Sequence, residues 1–577
     1  DTRTLKMLDT VTGNLKDFKY SAMTGVEKGW FDNHCNDLPQ CPALNSTEKA
    51  TLNNGANVVD WLRGQQQYAD DSIMRAYAAT DHTPSGLSGP IPIVLGDIAS
   101  SKPAFLRDPR KKYTVSGYNQ FVIDNQARPA TVFAAANDGM LHAFSGATGE
   151  ELWGYAPRMT MKKLYLQAST RYGTNHQYTT DGSPELGDVQ IGGVWKTILV
   201  AGLNGGGRGF YALDVTDPLN PKALWELCAD ATVCSGSNLD TDIGLTFGNA
   251  QFGMYNGNWV VLLTSGYNNI PGTDGVAGGS GGGFLYIVDP SNGRILQKIA
   301  TGSGDTTTPS GFAKISAITN DPQTDPVITQ VYGGDNLGQM WRFDLTTSTV
   351  TKTLMGNAGV NQPITTAPEI TSCNVGTSAV KNVIIFGTGR LLDIPDVSNT
   401  AVQSLYMLKD SATTIAPWKT GMVQQTLSLL GSSSSTYTYK ISNNAVDLTT
   451  ANGWYVDFNL NAGERINLDP VVVAGSVTAV ANIPSSSSAC SVGGSSNVYQ
   501  VDACTGSFLV NNERVGSDVV AGRTLSATSA AVGFIMIRLP TGVLKMVTTT
   551  ADGRTITSNG PSNLGLPAAK SGWRQVR

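Results

Sequence analysis

Short stretches in which apolar and polar residues alternate cover most of the chain from Leu95 onward, separated by small turn residues. A period of two is typical of strands that bury one face. Ala130–Phe144 has two strand-like stretches rich in apolar residues on either side of Asn137-Asp138-Gly139, which predicts a hairpin. Further strand pairs are predicted at 197–203 with 210–214, 259–265 with 284–289, 327–333 with 339–344, 383–388 with 404–409 and 471–483 with 497–502, and late strands near 525–550. The pattern therefore predicts an all-β protein.

A short phrase ends many of these strands: an apolar residue, an acid or Ser, a small turn and often a Gly. The acid ends the strand, and a Gly with positive φ lets the next strand begin. Seven copies predict seven blades of one ring. They are Leu8-Asp9-Thr10-Val11-Thr12-Gly13, Phe144-Ser145-Gly146-Ala147-Thr148-Gly149, Leu213-Asp214-Val215-Thr216, Val288-Asp289-Pro290-Ser291-Asn292-Gly293, Phe343-Asp344-Leu345-Thr346, Lys409-Asp410 and Val501-Asp502-Ala503-Cys504-Thr505-Gly506.

The two ends of the chain complement each other in this pattern. The first copy, at Asp9, has only a final strand and its turn, and the stretch after Asp502 has strands without a clear phrase. Joining both ends in one blade would leave no open sheet edge. The expectation is a modified seven-bladed β-propeller that forms a single domain over 1–577 and is closed by its N- and C-terminal strands. Residues 14–95 are predicted to be a partly helical insertion packed on the ring, with helices near 46–62 and 70–79.

Composition narrows the classes of function. The net charge is −5, charged residues make up 15% and no basic cluster stands out, which argues against nucleic-acid partners. No run of about 20 apolar residues is present, so no transmembrane segment is predicted. The chain begins within a strand-like phrase, and we expect an upstream N-terminal region that is absent from this chain.

The seven cysteines suit local disulfides and an oxidising compartment. Cys35 with Cys41 and Cys228 with Cys234 each bracket a short polar loop, and Cys490 with Cys504 bracket a predicted hairpin. That assignment leaves Cys373 either free or paired outside the chain.

Several motifs resemble the PilY/PilC family of type IV pilus tip-associated adhesins and biogenesis factors. The resemblance covers about residues 55–577. Its motifs are Leu95-Gly96-Asp97-Ile98, Ala136-Asn137-Asp138-Gly139-Met140-Leu141-His142-Ala143-Phe144, Asp181-Gly182-Ser183-Pro184, Gly206-Gly207-Arg208-Gly209 followed by Ala212-Leu213-Asp214-Val215-Thr216-Asp217-Pro218, Gly334-Asp335 with Gly338 and Trp341-Arg342-Phe343-Asp344, Phe386-Gly387-Thr388-Gly389-Arg390 and Trp573-Arg574.

The resemblance implies a binding and assembly protein rather than an enzyme. The expected roles are pilus biogenesis through the balance of extension and retraction, twitching motility, adhesion to surfaces or host cells, and virulence. Expected partners are minor pilins at the pilus tip, a host-cell or abiotic surface ligand and an upstream von Willebrand A-like region. The implied location is extracellular, at the pilus tip on the bacterial surface, after export through the periplasm and outer membrane.

The family also carries a calcium loop, and its position here implies a degenerate site. Matching by position gives Asp321 and Asp325 as carboxylate ligands, Gln323 and Val327 as carbonyl ligands, and Thr329 where the family has an acid. Calcium prefers six to eight oxygens, so the lost carboxylate should weaken binding. The competing interpretation is a turn stiffened by proline that binds no metal.

Two other classes of function remain as alternatives. The stretch from Ala143 to Trp153 resembles the tryptophan-docking repeat of quinoprotein dehydrogenases, but no vicinal Cys-Cys occurs, so Trp153 is interpreted as structural. A carbohydrate-binding lectin propeller is the second alternative. No Arg-Gly-Asp occurs, and loops 268–283, 431–437 and 484–496 are the candidate partner contacts, because loops carry recognition on rigid scaffolds.

Overall fold

The computed structural model describes residues 3–68, 72–78, 91–375, 378–415, 418–433, 436–485, 493–541 and 543–561. By internal contacts the chain divides into two compact units. The first comprises residues 1–253 and 257–309, and the second comprises residues 254–256 and 310–577. Strands dominate both units, so the prediction of an all-β protein is confirmed.

Three sheets begin in the first 300 residues. The first has six strands in the order β2-β1-β6-β5-β4-β3, and the next two have four strands each, in the orders β10-β9-β8-β7 and β11-β12-β13-β14. Their strands are β1 Leu5–Leu8, β2 Leu15–Asp17, β3 Ala104–Leu106, β4 Thr131–Ala136, β5 Met140–Ser145, β6 Glu151–Tyr155, β7 Glu185–Ile191, β8 Val194–Gly202, β9 Gly209–Asp214, β10 Lys222–Cys228, β11 Gln251–Tyr255, β12 Asn258–Thr264, β13 Phe284–Val288 and β14 Ile295–Ala300.

Four larger sheets and a two-stranded ribbon follow. Their orders are β15-β16-β17-β18, β19-β20-β21-β25-β22, β23-β24-β31-β28-β27-β26, β32-β33-β34 and the ribbon β29-β30. The strands are β15 Ile315–Thr319, β16 Ile328–Gly334, β17 Gln339–Asp344, β18 Thr351–Asn357, β19 Glu369–Val375, β20 Ser378–Gly387, β21 Ser404–Lys409, β22 Met422–Gln425, β23 Leu427–Ser433, β24 Thr436–Ile441, β25 Gly453–Asp457, β26 Val471–Val473, β27 Ser476–Pro484, β28 Gly494–Asp502, β29 Arg514–Val515, β30 Asp518–Val519, β31 Gly522–Ser526, β32 Ala531–Arg538, β33 Leu544–Thr550 and β34 Thr555–Asn559.

Helices are short and lie mostly before β7. The α-helices are α1 Gly25–Gly29, α2 Ser46–Asn53, α3 Gly55–Leu62, α4 Tyr118–Asp124, α5 Arg158–Leu164 and α6 Ile394–Val397. The 3-10 helices are Tyr20–Ala22, Cys35–Asp37, Cys41–Ala43, Gln66–Tyr68, Tyr165–Ala168, Tyr172–Thr174, Gly236–Asn238 and Thr273–Gly275.

The repeated phrase forms the turn that the sequence predicts. Oδ1 of Asp214, Asp289 and Asp344 each accepts the backbone N–H two residues further on, at 2.9–3.1 Å. This Asx turn satisfies a donor that the strand has released. Where the phrase ends in Gly, that residue has a positive φ, for example 74° at Gly293 and 67° at Gly506.

At three places a buried tryptophan links one sheet to the turn of the next sheet. Nε1 of Trp153 on β6 donates to the Pro218 carbonyl at 2.7 Å, and Nε1 of Trp225 on β10 donates to the Pro290 carbonyl at 3.0 Å. Nε1 of Trp454 on β25 donates to the Ala503 carbonyl at 3.1 Å. All three rings are at most 3% exposed. The structural interpretation of Trp153 is confirmed, and the contact recurs.

The phrases do not correspond one to one with the sheets. The described residues form seven sheets of three or more strands, but the turns at Asp9 and Ser145 both belong to the first sheet. The seventh sheet, β32–β34, has no copy of the phrase. The prediction of one phrase for each blade was therefore wrong, because a local turn pattern does not indicate which sheet its strand joins.

The predicted pairing of the two chain ends is also not what the described strands show. β1 lies between β2 and β6, and its parallel register with β6 pairs Leu5 with Gly154 and Lys6 with Tyr155. β32, β33 and β34 pair among themselves. β1 pairs with the side of β6 that β5 does not use, so the first strand extends the first sheet instead of completing the last one.

The insertion at 14–95 contains α1–α3, as predicted in part. Asn45 caps α2 through a capping box with Glu48, and α3 ends before Gly64, which has a φ of 92°. Apolar residues of the insertion pack with Met140 and Leu164 in one core. The prediction of a helix near 70–79 is wrong for residues 72–78, which form a turn and irregular backbone. The rest of that stretch lies outside the described residues.

Three disulfides are present among the described residues. Cys35–Cys41 and Cys228–Cys234 are confirmed. The Cys490–Cys504 pairing is wrong, because Cys504 is bonded to Cys373, 131 residues away. β19 and the turn after β28 bring these two cysteines together, which no local spacing signals. Cys490 itself lies outside the described residues.

The long-range disulfide should stabilise the fold more than a local one. In the chain-entropy model, closing a loop of 131 residues stabilises by about 5 kcal/mol, and a loop of 6 residues by about 2 kcal/mol. We expect Cys373→Ser/Cys504→Ser to lower the free energy of unfolding more than Cys35→Ser/Cys41→Ser, measured by denaturant titration without reductant. Equal losses in the two double variants would contradict this assignment.

Candidate functional sites

The predicted calcium loop connects β15 to β16. Oδ1 of Asp321 accepts the N–H of Gln323 at 2.8 Å, and Oδ1 of Asp325 accepts the N–H of Val327 at 2.9 Å. The N–H of Asp325 also donates to the Asp321 carbonyl at 2.7 Å. The loop is therefore a pair of linked Asx turns, a geometry that its own hydrogen bonds support.

The donor set of this loop is small for calcium. Oδ2 of Asp325 accepts the side-chain amide of Asn320 at 3.3 Å, and the hydroxyl of Thr329 donates its one proton to Oε1 of Gln330 at 2.7 Å. Within the described part of the chain, no group of three or more His, Cys, Asp or Glu side chains is arranged to hold a metal. Any cation here would rely on two carboxylates and on neutral oxygens, and it would compete with the existing hydrogen bonds.

One candidate contact loop, 268–283, is fastened to the first unit by a buried arginine. The Arg208 guanidinium is 3% exposed and donates to the carbonyls of Ile270, Thr273 and Gly278 within the loop. It also donates to the carbonyls of Ile243 and Thr241. A loop held in this way presents its outer residues on a fixed backbone.

The other two candidate loops are described only in part. Loop 431–437 lies at the hairpin between β23 and β24, where 434 and 435 lie outside the described residues. Loop 484–496 connects β27 to β28, and residues 486–492 lie outside them.

A cavity of about 190 Å³ lies between the insertion and the first sheet. We call it the insertion cavity. Its walls include Trp61, Arg75, Tyr77, Asp138 and Tyr172. Sequence reasoning missed it, because α3, the 72–78 segment and the β4–β5 turn meet only in the folded chain.

A buried charge cluster supports one wall of this cavity. His142 is fully buried, with Nδ1 at 2.7 Å from Oε1 of Glu151 and Nε2 at 3.1 Å from Oδ1 of Asp138. Arg3 donates to both oxygens of Glu151 at 2.7 Å. Oδ2 of Asp138 accepts the N–H of Gly96 at 3.1 Å, which ties the 91–97 segment to the β4–β5 turn.

The cluster stabilises the charged forms of His142 and Glu151. Burial alone would lower the pKa of His142, but Asp138 and Glu151 outweigh it and raise that pKa to about 9. Burial alone would raise the pKa of Glu151, but Arg3 and His142 lower it to about 2. His142 is therefore an imidazolium at neutral pH. It was one of four scattered histidines in the sequence, and only the fold shows its two carboxylate partners.

Repeated antiparallel sheets with Asx turns and tryptophan contacts define an all-β protein of the kind to which β-propellers belong. Residues 95–451 match the family of the PilY1 beta-propeller domain. The chain belongs to that family, which confirms the resemblance.

Individual relatives agree with this assignment. The chain is 28% identical over 562 residues to the type IV pilus biogenesis factor PilY1 of Pseudomonas aeruginosa PAO1, a match that covers 87% of this chain and 44% of that protein. It is 29% identical over 510 residues to a PilY1 homologue of Xylella fastidiosa, covering 84% of this chain and 39% of that one. The chain thus spans less than half the length of these relatives.

A solved structure shows the same fold. The crystal structure of the Pseudomonas aeruginosa PilY1 C-terminal domain superposes with a TM-score of 0.61 at 24% identity, covering 80% of this chain and all of that one. Among the described helices, none has the length and apolar character needed to cross a bilayer.

The His142 cluster should make stability depend on pH in a defined direction. The folded pKa of about 9 lies above the ordinary value of about 6.5, so the stabilisation is complete below pH 6.5 and is lost as pH rises through 9. The shift corresponds to about 3 kcal/mol. We expect the difference in unfolding free energy between the wild type and His142→Gln to shrink from pH 6 to pH 10, measured by urea titration. His176→Gln serves as the control, and a pH-independent difference for His142→Gln would refute the charged state.

Proposed function

We propose that this chain is the pilus-tip-associated part of a type IV pilus biogenesis factor and acts by binding. The observation that carries the proposal is the family match over 95–451 together with relatives aligned to 84–87% of the chain. Those relatives are named pilus biogenesis factors rather than enzymes. The expected roles are the balance of pilus extension and retraction, twitching motility, and adhesion to surfaces or host cells.

The structure supports a binding role through its rigidity. Tryptophan contacts join successive sheets, a disulfide links β19 to the turn after β28, and Arg208 fastens a glycine-rich loop. A stiff scaffold that carries fixed loops suits a protein that recognises partners under load. The quinoprotein-like enzyme and the lectin gain no support from the named relatives.

The proposed partners are minor pilins at the pilus tip, a surface or host-cell ligand, and an upstream von Willebrand A-like region of the same protein. The proposed location is the pilus tip at the bacterial surface. Seven blades in one ring remain a prediction.

Calcium regulation at 321–329 is part of the proposal, in a weak form. Asp321 and Asp325 would supply carboxylates, and Gln323, Val327 and Thr329 would supply neutral oxygens. Two carboxylates fit the 10⁻⁴–10⁻³ M range of extracellular calcium modules rather than tighter sites.

The binding role predicts that this region is required for pilus function. In a strain that produces the full-length protein, deletion of the region equivalent to 1–577 should abolish twitching and reduce surface pili. The 577-residue chain should also retain minor pilins in a pulldown from purified components. A deletion strain that twitches normally, together with a chain that retains no minor pilin, would contradict the proposal.

The calcium proposal predicts a saturable heat in calorimetry at millimolar calcium. Asp321→Ala/Asp325→Ala should remove that heat, because it removes both carboxylates. Asp305→Ala is a matched control, since Asp305 forms a similar exposed Asx turn outside the loop. Absence of heat in the wild type, or equal heat in the double variant, would leave the loop as a metal-free turn.

A further inference from the structure

The insertion cavity is lined by one arginine, Arg75, which forms no ion pair with an acid among the described residues. Nε of Arg75 donates to the Gln167 carbonyl at 3.1 Å. Within the described residues, Nη1 and Nη2 have no hydrogen-bond acceptor and no acidic group within ion-pair distance. Two N–H edges therefore remain available on a side chain that lines a cavity.

Aromatic rings hold this guanidinium in place. Its carbon lies 4.7 Å from the ring centre of Tyr172, 5.5 Å from that of Trp61 and 5.8 Å from that of Tyr77. Trp61 and Tyr77 stack on each other at 5.0 Å. Cation–π contacts fix the plane of the guanidinium without using its N–H donors.

The backbone of Arg75 is fixed as well. Its N–H donates to the Ala168 carbonyl at 3.1 Å, and its carbonyl accepts Nε1 of Trp61 at 3.1 Å. The Tyr77 hydroxyl donates to the Trp61 carbonyl at 2.6 Å. The side chain is therefore already arranged before any ligand arrives, which reduces the entropy that binding must offset.

The acids that line the same cavity are already engaged. Asp138 accepts from His142 and Gly96, and Asp97 accepts from His176 at 2.8 Å and from Asn137 at 2.8 Å. Each carboxylate faces a donor other than Arg75. Among the described residues that line the cavity, Arg75 is the cation, and its outer N–H groups are the donors that an anionic ligand would meet.

We propose that the insertion cavity binds a carboxylate that carries a short apolar or aromatic body. A carboxylate matches the paired N–H edges of a guanidinium better than any neutral group does. The apolar body would lie against the aromatic walls and against Ile93 and Leu95. The volume of about 190 Å³ is below the roughly 300–1,000 Å³ of sites for drug-sized ligands, so the ligand is a small organic acid or the C-terminal residue of a protein. This site goes beyond the proposed pilus function and does not depend on it.

The test measures binding of 3-phenylpropionate to the 577-residue chain by calorimetry and saturation-transfer NMR. We expect saturable binding near millimolar concentration, and none for 3-phenylpropionamide or 3-phenylpropylamine. Arg75→Gln should weaken binding at least tenfold, and Arg75→Lys less, because a single ammonium cannot form the paired contact. Arg294→Gln, an exposed arginine elsewhere, should leave binding unchanged.

A second variant keeps the test valid if Arg75→Gln does not fold. Ile93→Glu places a carboxylate at the half-exposed rim, where it should compete with the ligand and lower affinity. A short peptide that ends in Phe with a free carboxylate, compared with its amide, distinguishes a protein C-terminus from a small organic acid as the ligand. Tighter binding of the peptide than of 3-phenylpropionate indicates a protein C-terminus, and weaker binding indicates a free acid. The proposal is overturned if no carboxylate saturates the wild type by 10 mM, if the amides bind equally well, or if the Arg75 and Ile93 variants bind as the wild type does.

Discussion

The contact between a buried tryptophan of one sheet and the turn of the next sheet is the interaction on which the repeated architecture depends. Trp153, Trp225 and Trp454 each bury a large ring and donate to a carbonyl inside the following turn. A Cβ on Gly293 would lie 2.8 Å from the ring of Trp225, and a Cβ on Gly506 would lie 2.5 Å from the ring of Trp454. The glycine of the phrase thus supplies both the positive φ of the turn and the space for the neighbouring sheet's tryptophan.

Two buried arginines hold loop segments together through hydrogen bonds, as the tryptophan contacts join neighbouring sheets. Arg208 binds carbonyls from several loop segments in the first unit, and Arg465 binds the carbonyls of Gly463, Arg390, Asp396 and Asn399 in the second. A guanidinium has five donors, so one side chain replaces much of the hydrogen bonding that a strand would give. Arg75 differs from both, because it lines a cavity and its outer nitrogens have no acceptor among the described residues, and we therefore propose it as a binding group.

Sequence reasoning succeeded for features that neighbouring residues decide. The strand pairs around 137–139, 204–208 and 334–338 are present as hairpins, and the motifs identified the family correctly. The candidate calcium loop connects β15, which was not predicted, to β16, and its occupancy depends on where five oxygens converge. The spacing of the residues does not determine that convergence. Two of the three candidate contact loops, 431–437 and 484–496, are described only in part.

By itself the sequence determined the strand alternation, the Asx turns and the two disulfides that span six residues, because their partners are close along the chain. Only the tertiary structure decided that β1 joins β6, that Cys373 bonds Cys504, and that His142 and Arg75 meet the groups around them. Each of these pairings brings together residues far apart in sequence, and many partners were compatible with the local pattern. Packing selects among them, because burying the apolar faces and pairing buried polar groups both involve residues far apart along the chain.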